Sequence, residues 1–158
     1  MGNKSYFVKK IISGGQTGAD RAGLDVAMEL RLEHGGWVPK GRRAEDRMVP
    51  SRYQMRETFT HEYWERTQLN VMDSDGTVIF SRGPLKGGSK LTKDFCIKHK
   101  KPCIHIDFDE TETLEAKRLF RQWILENSIS VLNVAGPRAS EDNNIYQLVK
   151  KFLLDALL

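Results

Sequence analysis

The sequence predicts a three-layer α/β/α sandwich around a mostly parallel sheet of about five strands. Two observations predict it. Short apolar runs alternate with amphipathic helical stretches, the pattern of strands joined by helical crossovers. The strands around Val78-Ile79-Phe80 and Val131-Leu132 are apolar at consecutive positions, as burial under helices on both faces requires.

Each element follows from local pattern. Val8 to Ser13 reads as a strand that ends at Gly14. Ala19, Gly23, Val26, Ala27 and Leu30 then share one helical face, and Gly35-Gly36 stops that helix. Gly36-Trp37-Val38 reads as a brief second strand closed by Pro39. Residues 41–58 are polar, charged and aperiodic, which suggests a loop insertion or lid. A helix is expected over His61–Val71, with Tyr63/Trp64, Thr67 and Val71 at helical spacing, and Ser74-Asp75-Gly76 as a turn. Thr77–Ser81 is a β-branched and aromatic strand. Ser89–Lys100 is helical, Pro102–Ile106 a strand, Leu114–Glu126 a helix and Ser130–Val134 a strand. The last helix is expected from about Ser140, with Glu141 and Asp142 favoured in its first turn by the dipole. Its core face is Ile145, Leu148, Val149, Phe152 and Ala156. The whole, residues 1–158, reads as one Rossmann-like domain.

Composition narrows the function classes. The chain has 158 residues, 39% of them hydrophobic, with 25 Lys+Arg against 21 Asp+Glu and a net charge of +4. Acids and bases interleave along it, which disfavours nucleic acid as a partner. No apolar run approaches the roughly 20 residues that span a bilayer, so no membrane partner is expected. Met1–Tyr6 shows no apolar leader, and Tyr6 stands where a myristoylation motif wants Ser or Thr. Two cysteines, Cys96 and Cys103, do not make a disulfide framework; a reduced, cytoplasmic, soluble protein is expected. Cys96-x-x-His99 and Cys103-x-His105 invite a zinc reading, but adjacent elements bring such side chains together poorly, and no metal site is expected. The apolar surplus Leu153, Leu154, Leu157 and Leu158 would suit either the core or a homo-oligomer interface.

The chemistry is expected where strands run into helices. In a parallel sheet these loops share the rim at the carboxyl ends of the strands, where ligands bind. Three of them are rich in glycine. The first contains Gly14, Gly15, Gln16, Thr17, Gly18, Asp20 and Arg21. The second contains Ser81, Arg82, Gly83, Gly87, Gly88, Ser89 and Thr92, and the third Gly136 and Arg138. A fourth segment adds Lys40, Arg42 and Arg43. Glycine lets backbone amides approach an anion, helix N-termini add partial positive charge, and hydroxyls and arginines complete a phosphate cradle. The expected partner is therefore a small phosphorylated ligand. Gly14-Gly15-x-x-Gly18 is neither a Walker A nor a GxGxxG motif, which disfavours P-loop hydrolysis. Gly15→Val is expected to remove binding and spare the fold.

Several blocks carry a resemblance. Ser13-Gly14-Gly15-Gln16-Thr17-Gly18-Ala19-Asp20-Arg21-Ala22, Gly35 to Asp46, Asn70 to Thr77, Phe80 to Ser89 and Asn133 to Ser140 resemble, in order, the circularly permuted YpsA-like branch of the SLOG superfamily. The resemblance implies a Rossmannoid fold and a pocket for a nucleotide-derived or phosphate-bearing heterocycle. The branch bears the label of molybdenum carriers, which implies molybdenum cofactor, a pterin carrying a phosphate, as one candidate ligand and a nucleotide as another. Other superfamily members are nucleoside-monophosphate phosphoribohydrolases, which implies N-glycosidic hydrolysis as an alternative. They share the Gly87-Gly88-Ser89-Lys90-Leu91-Thr92 pattern but carry a Glu just after it, where this chain has Asp94. Tyr53 and Glu57 remain of the family's Tyr-Pro-Leu-x-Glu. Asp94 and Glu57 are thus the catalytic candidates if the protein is an enzyme. DNA-processing relatives share the opening block, which leaves nucleic-acid binding as a third alternative.

Overall fold

A strand at Lys10–Ile12 (β1) leads through the first glycine-rich loop into helix Ala19–Glu29 (α1), and the chain returns at Glu33–Gly35 (β2), parallel to β1. The computed structural model describes residues 7–158, so the expectations placed on Met1–Tyr6 lie outside the described residues. Four very short strands follow: Trp37–Val38 (β3), Arg43–Ala44 (β4), Arg47–Met48 (β5) and Arg56–Glu57 (β6). β3 pairs in parallel with β6, and β4 pairs antiparallel with β5. Then come Tyr63–Asp73 (α2), Gly76–Ser81 (β7), Gly87–Lys98 (α3), Cys103–Asp107 (β8), Thr113–Glu126 (α4), Val131–Ala135 (β9) and Ile145–Ala156 (α5).

The main sheet has five strands in the order β2-β1-β9-β7-β8, every pair parallel. It is the α/β Rossmann-like architecture read from the sequence. Strand alternation gives its faces different chemistry. Ile11, Val78, Phe80, Ile106, Leu132 and Val134 point to one side, where α1, α4 and α5 bury Ala22, Val26, Phe120, Val149 and Phe152 against them. α5 is the most amphipathic helix, with Ile145, Val149, Phe152, Leu153 and Ala156 all buried at helical spacing. Leu153 and Leu157 join this core, while Leu158 is exposed. The apolar surplus of the last helix is therefore largely absorbed within the chain. On the other side, under α2 and α3, the sheet presents Thr77 and Asn133, whose side chains bond at 3.1 Å.

Four boundaries differ from the sequence reading. α1 ends at Glu29 and not at Gly35-Gly36, because the chain turns at Arg31, which has φ +60°. The second strand of the main sheet is Glu33–Gly35 and not Gly36–Val38, because the chain leaves the sheet at Gly36 and passes against the backbone of Ser13. Residues 40–58 are not irregular throughout. They close a second small core of Leu24, Val38, Ala44, Val49 and Tyr53. Tyr53 is held there by its hydroxyl, which donates to Asp25 at 2.6 Å. α5 starts at Ile145; Asp142 lies in the turn before it, where it accepts the Asn144 amide at 3.0 Å and pairs bidentately with Arg82, both bonds 2.7 Å.

Candidate functional site

Counted from β9, the strand order becomes 3-2-1-4-5, the doubly wound order in which crossovers diverge beside the central strand. Ligands in such sheets bind in the crevice beyond the strands' carboxyl ends at that divergence. A cavity of about 310 Å³ opens there. Its floor is Asn133 to Gly136, where β9 ends. One wall is the start of α3, the opposite wall is the first glycine-rich loop, and α2 closes the side.

Nine of the residues singled out from sequence line this cavity: Gly14, Gln16, Asp20, Gly87, Gly88, Ser89, Thr92, Gly136 and Arg138. Among the described residues no side chain makes a capping hydrogen bond at the α3 N-terminus, and Gly87, Gly88 and Ser89 of its first turn line the cavity. The other predicted residues have different positions. Gly15, at φ +71°, faces backward, where an added Cβ would come 2.9 Å from Val38. Gly15→Val would therefore disturb the second core and is not a clean test of binding. Gly18 lets the first and third loops meet, since a Cβ there would stand 2.4 Å from the Pro137 carbonyl. Thr17 donates to Glu45 and accepts the Ala139 amide. Arg21 grips Asp46. Arg42 binds the carbonyls of Val49, Pro50 and Tyr53, Arg43 binds that of His61, and Lys40 is exposed. Ser81 donates to the Gly83 carbonyl at 2.6 Å, and the Gly83 amide donates to Asp107. Glu57 accepts the Gly41 amide at 2.6 Å, and Asp94 is exposed; neither lines the cavity.

The sequence reading missed the residue that dominates the wall. Arg66, on the inner face of α2, lies over Gly14 so closely that a Cβ there would come 2.4 Å from its Nε. Its Nη1 reaches the Thr67 hydroxyl and, at 3.3 Å, the Tyr63 carbonyl. Its Nε is buried and has no hydrogen-bond partner among the described residues. Burial pulls the guanidinium below its usual range, and the Asp20 charge opposes this. Thr67, Asn70 and Asn133 were also missed. Asn70 is structural, giving and taking hydrogen bonds with the Trp37 backbone at 3.0 and 2.8 Å. Trp37 itself lies outside the cavity under Arg56, 4.3 Å from ring to guanidinium. A signal existed: Arg66, Thr67 and Asn70 form a polar stripe at i, i+1 and i+4, and Asn133 interrupts an apolar strand.

Asp20 is the buried acid of the cavity. Burial pushes its carboxyl up to about 6, against the opposing effects of Arg66 and the Gln16 amide, which donates to it at 3.2 Å. A carboxyl raised in the folded state binds its proton more tightly there than in the unfolded chain. Ionised Asp20 therefore lowers stability above about pH 6, by roughly 3 kcal/mol, and the penalty disappears as pH falls toward 4. In denaturant unfolding of the wild type, Asp20 is expected to contribute a slope of rising stability between pH 7 and 5, against the opposite contribution of His34 and His105, whose imidazoles burial holds below their usual range. The Asp20→Asn variant should lack that slope; identical slopes in the two proteins would contradict the assignment.

The four potential zinc ligands are not gathered: the free thiols of Cys96 and Cys103 contact each other, but His99 bonds Gln68 and His105 bonds Ser81. Among the described residues, no group of three or more His, Cys, Asp or Glu is placed to hold a metal ion, and no helix is long and apolar enough to cross a membrane.

Three comparisons with known proteins bear on this geometry. A model of the circularly permutated YpsA SLOG family matches residues 11–157. No curated protein matches. A crystal structure from Syntrophus aciditrophicus SB, of a protein whose given name proposes a molybdenum carrier, superposes with a TM-score of 0.94. The two sequences are 52% identical, and the match covers 98% of each chain.

Proposed function

The chain belongs to the circularly permutated YpsA SLOG family, and on that premise we propose that its cavity binds a small, phosphate-bearing, nucleotide-derived heterocycle. The observation that carries this reading is Arg66. A guanidinium with a buried, unpartnered Nε is costly without an anion, and this one borders a cavity of ligand size. On this reading the phosphate would lie between Arg66, Arg138, the Ser89 hydroxyl and the start of α3 at Gly87 and Gly88, all of which line the cavity. The ring end faces Thr67, Asn133 and the half-exposed Trp64. A few charged hydrogen bonds of about 1.5–3 kcal/mol each support micromolar affinity, roughly −8 kcal/mol.

The name of the Syntrophus protein proposes a molybdenum carrier, and molybdenum cofactor, a pterin carrying a phosphate, is a ligand of the proposed class that would make this chain one. The donor set fits the phosphate of such a pterin, and Arg66, Arg138 and Ser89 would hold it. The metal would travel as part of the cargo.

The test is a thermal-shift panel of nucleoside mono- and diphosphates and pterin phosphates. A ligand at 100 times its Kd stabilises by about 2.7 kcal/mol, a rise of roughly 5–11 °C for a domain of this size. Gly14→Ala is expected to abolish the shift and leave the unliganded protein folded, because the new Cβ displaces only the flexible end of Arg66. A panel without any shift overturns the proposal.

One observation favours a second reading, hydrolysis of an N-glycosidic bond. A carboxyl at about 6 beside the cavity is suited to general acid–base work near neutral pH. This reading moves the catalytic role from Glu57 and Asp94 to Asp20. Free base released from a nucleoside monophosphate, and lost in Asp20→Asn, would establish it.

A further inference from the structure

The turn between β4 and β5 carries two carboxylates, Glu45 and Asp46, and both reach across to the ligand-binding rim. Asp46 is gripped by Arg21 through bonds of 2.5 and 2.7 Å. Glu45 sits among four donors supplied by two different strand-to-helix loops. Ser140 offers its amide at 3.1 Å and its hydroxyl at 2.5 Å. Thr17 donates its hydroxyl, held in that sense because its oxygen already accepts the Ala139 amide at 3.1 Å. Arg138 stands 3.6 Å away.

One amide, two hydroxyls and a guanidinium converging on one point are the donor set of a phosphoryl site. A planar carboxylate uses it incompletely. Arg138 Nε is buried and makes no aligned hydrogen bond, although Glu45 and Glu141 lie within 3.6 and 3.1 Å. Glu45 is carried on a hairpin of two-residue strands, tied to the rim besides by the Glu45 amide, which donates to Gln16 Oε1 at 2.9 Å.

We propose that Thr17, Arg138 and Ser140 form a second oxyanion subsite, that Glu45 occupies it in the unliganded chain, and that a phosphoryl group displaces Glu45 and opens the hairpin over residues 43–48. The inference goes beyond the reading of the cavity: Glu45 does not line the cavity, and Arg138 is the one residue shared.

An internal competitor weakens apparent affinity by the fraction of molecules in which it is released. Removing it therefore tightens binding. Inorganic pyrophosphate titrated calorimetrically into Glu45→Ala is expected to bind about tenfold more tightly than into the wild type. Adding Thr17→Val and Ser140→Ala should abolish the gain. In the wild type, saturating pyrophosphate should speed amide hydrogen exchange over residues 43–48, a readout that needs no variant. Equal affinity in wild type and Glu45→Ala, or exchange over 43–48 that is unchanged or slower, overturns the proposal. The same exchange experiment on Arg66→Ala separates the two sites. Opening of the hairpin there, without any nucleotide-induced thermal shift, leaves the subsite standing whatever becomes of the cavity.

Discussion

Arg66→Ala is expected to weaken binding of a phosphate-bearing ligand by at least about 100-fold without unfolding the protein. Two charged hydrogen bonds to the guanidinium are worth roughly 3–6 kcal/mol together, and each 1.4 kcal/mol is a factor of ten. The fold should tolerate the change because Arg66 ties mainly to its own helix: one long bond to the Tyr63 carbonyl, a cation–π contact with the Tyr63 ring at 5.2 Å and one bond to a neighbouring hydroxyl, with a buried Nε that has no hydrogen-bond partner among the described residues. Truncation also leaves Asp20 without the opposing charge that restrains its carboxyl, so that group should titrate above its present value of about 6. Arg66→Lys keeps the charge but cannot present a planar fork, and should recover part of the affinity. Calorimetry with the best ligand of the thermal-shift panel reads these effects. An Arg66→Ala protein that binds as tightly as the wild type would remove the basis of the proposed site.

The second large effect is on stability. Phe152 is 2% exposed and meets three other rings, Phe80 at 5.4 Å, Phe120 at 5.5 Å and Phe108 at 5.9 Å between centroids. It joins α5 to the sheet through Phe80 and to α4 through Phe120. Phe152→Ala loses both the transfer free energy of the ring and the contacts around the cavity left behind, about 3–5 kcal/mol. For a domain of this length that lowers Tm by roughly 6–20 °C. Phe152→Leu should cost less, because most of the volume remains. Thermal unfolding followed by circular dichroism checks both. A loss under about 1 kcal/mol in the alanine variant would show that α5 is not anchored as described.

The two effects belong to opposite faces of one sheet, and this division explains what can be read from the chain. The apolar face is periodic. Ile145, Val149, Phe152 and Ala156 announce α5 by spacing alone, and Val78 and Phe80 announce the strand beneath it. Periodicity is a local property, so each element with a continuous apolar stripe was legible, and with it the three-layer fold. The glycine-rich loops were legible for a similar reason, since close approach of backbone to backbone leaves its mark in residue type. Gly18 against Pro137 is one such place.

The polar face gave weaker signals. Arg21, Arg42 and Arg82 look in sequence like charges aimed at a phosphate, yet each is engaged by a carboxylate or by carbonyls of the chain itself. Arg66 looks like a solvated helix residue, yet it borders the cavity with a donor unpaired. Whether an arginine serves a ligand or the fold depends on which acceptors the packed elements bring within about 3 Å of it. Those acceptors lie in remote segments, 25 residues away for Arg21 and 60 for Arg82.

By itself, then, the sequence determined the layers, the approximate elements and the glycine-rich rim, because apolar period and turn chemistry are written in neighbouring residues. The strand order that sets β9 at the centre, the cavity beyond its end, and the sorting of arginines between ligand and scaffold were decided only by tertiary structure, because hydrogen bonds and ion pairs act through space between segments whose separation along the chain carries no trace of the contact.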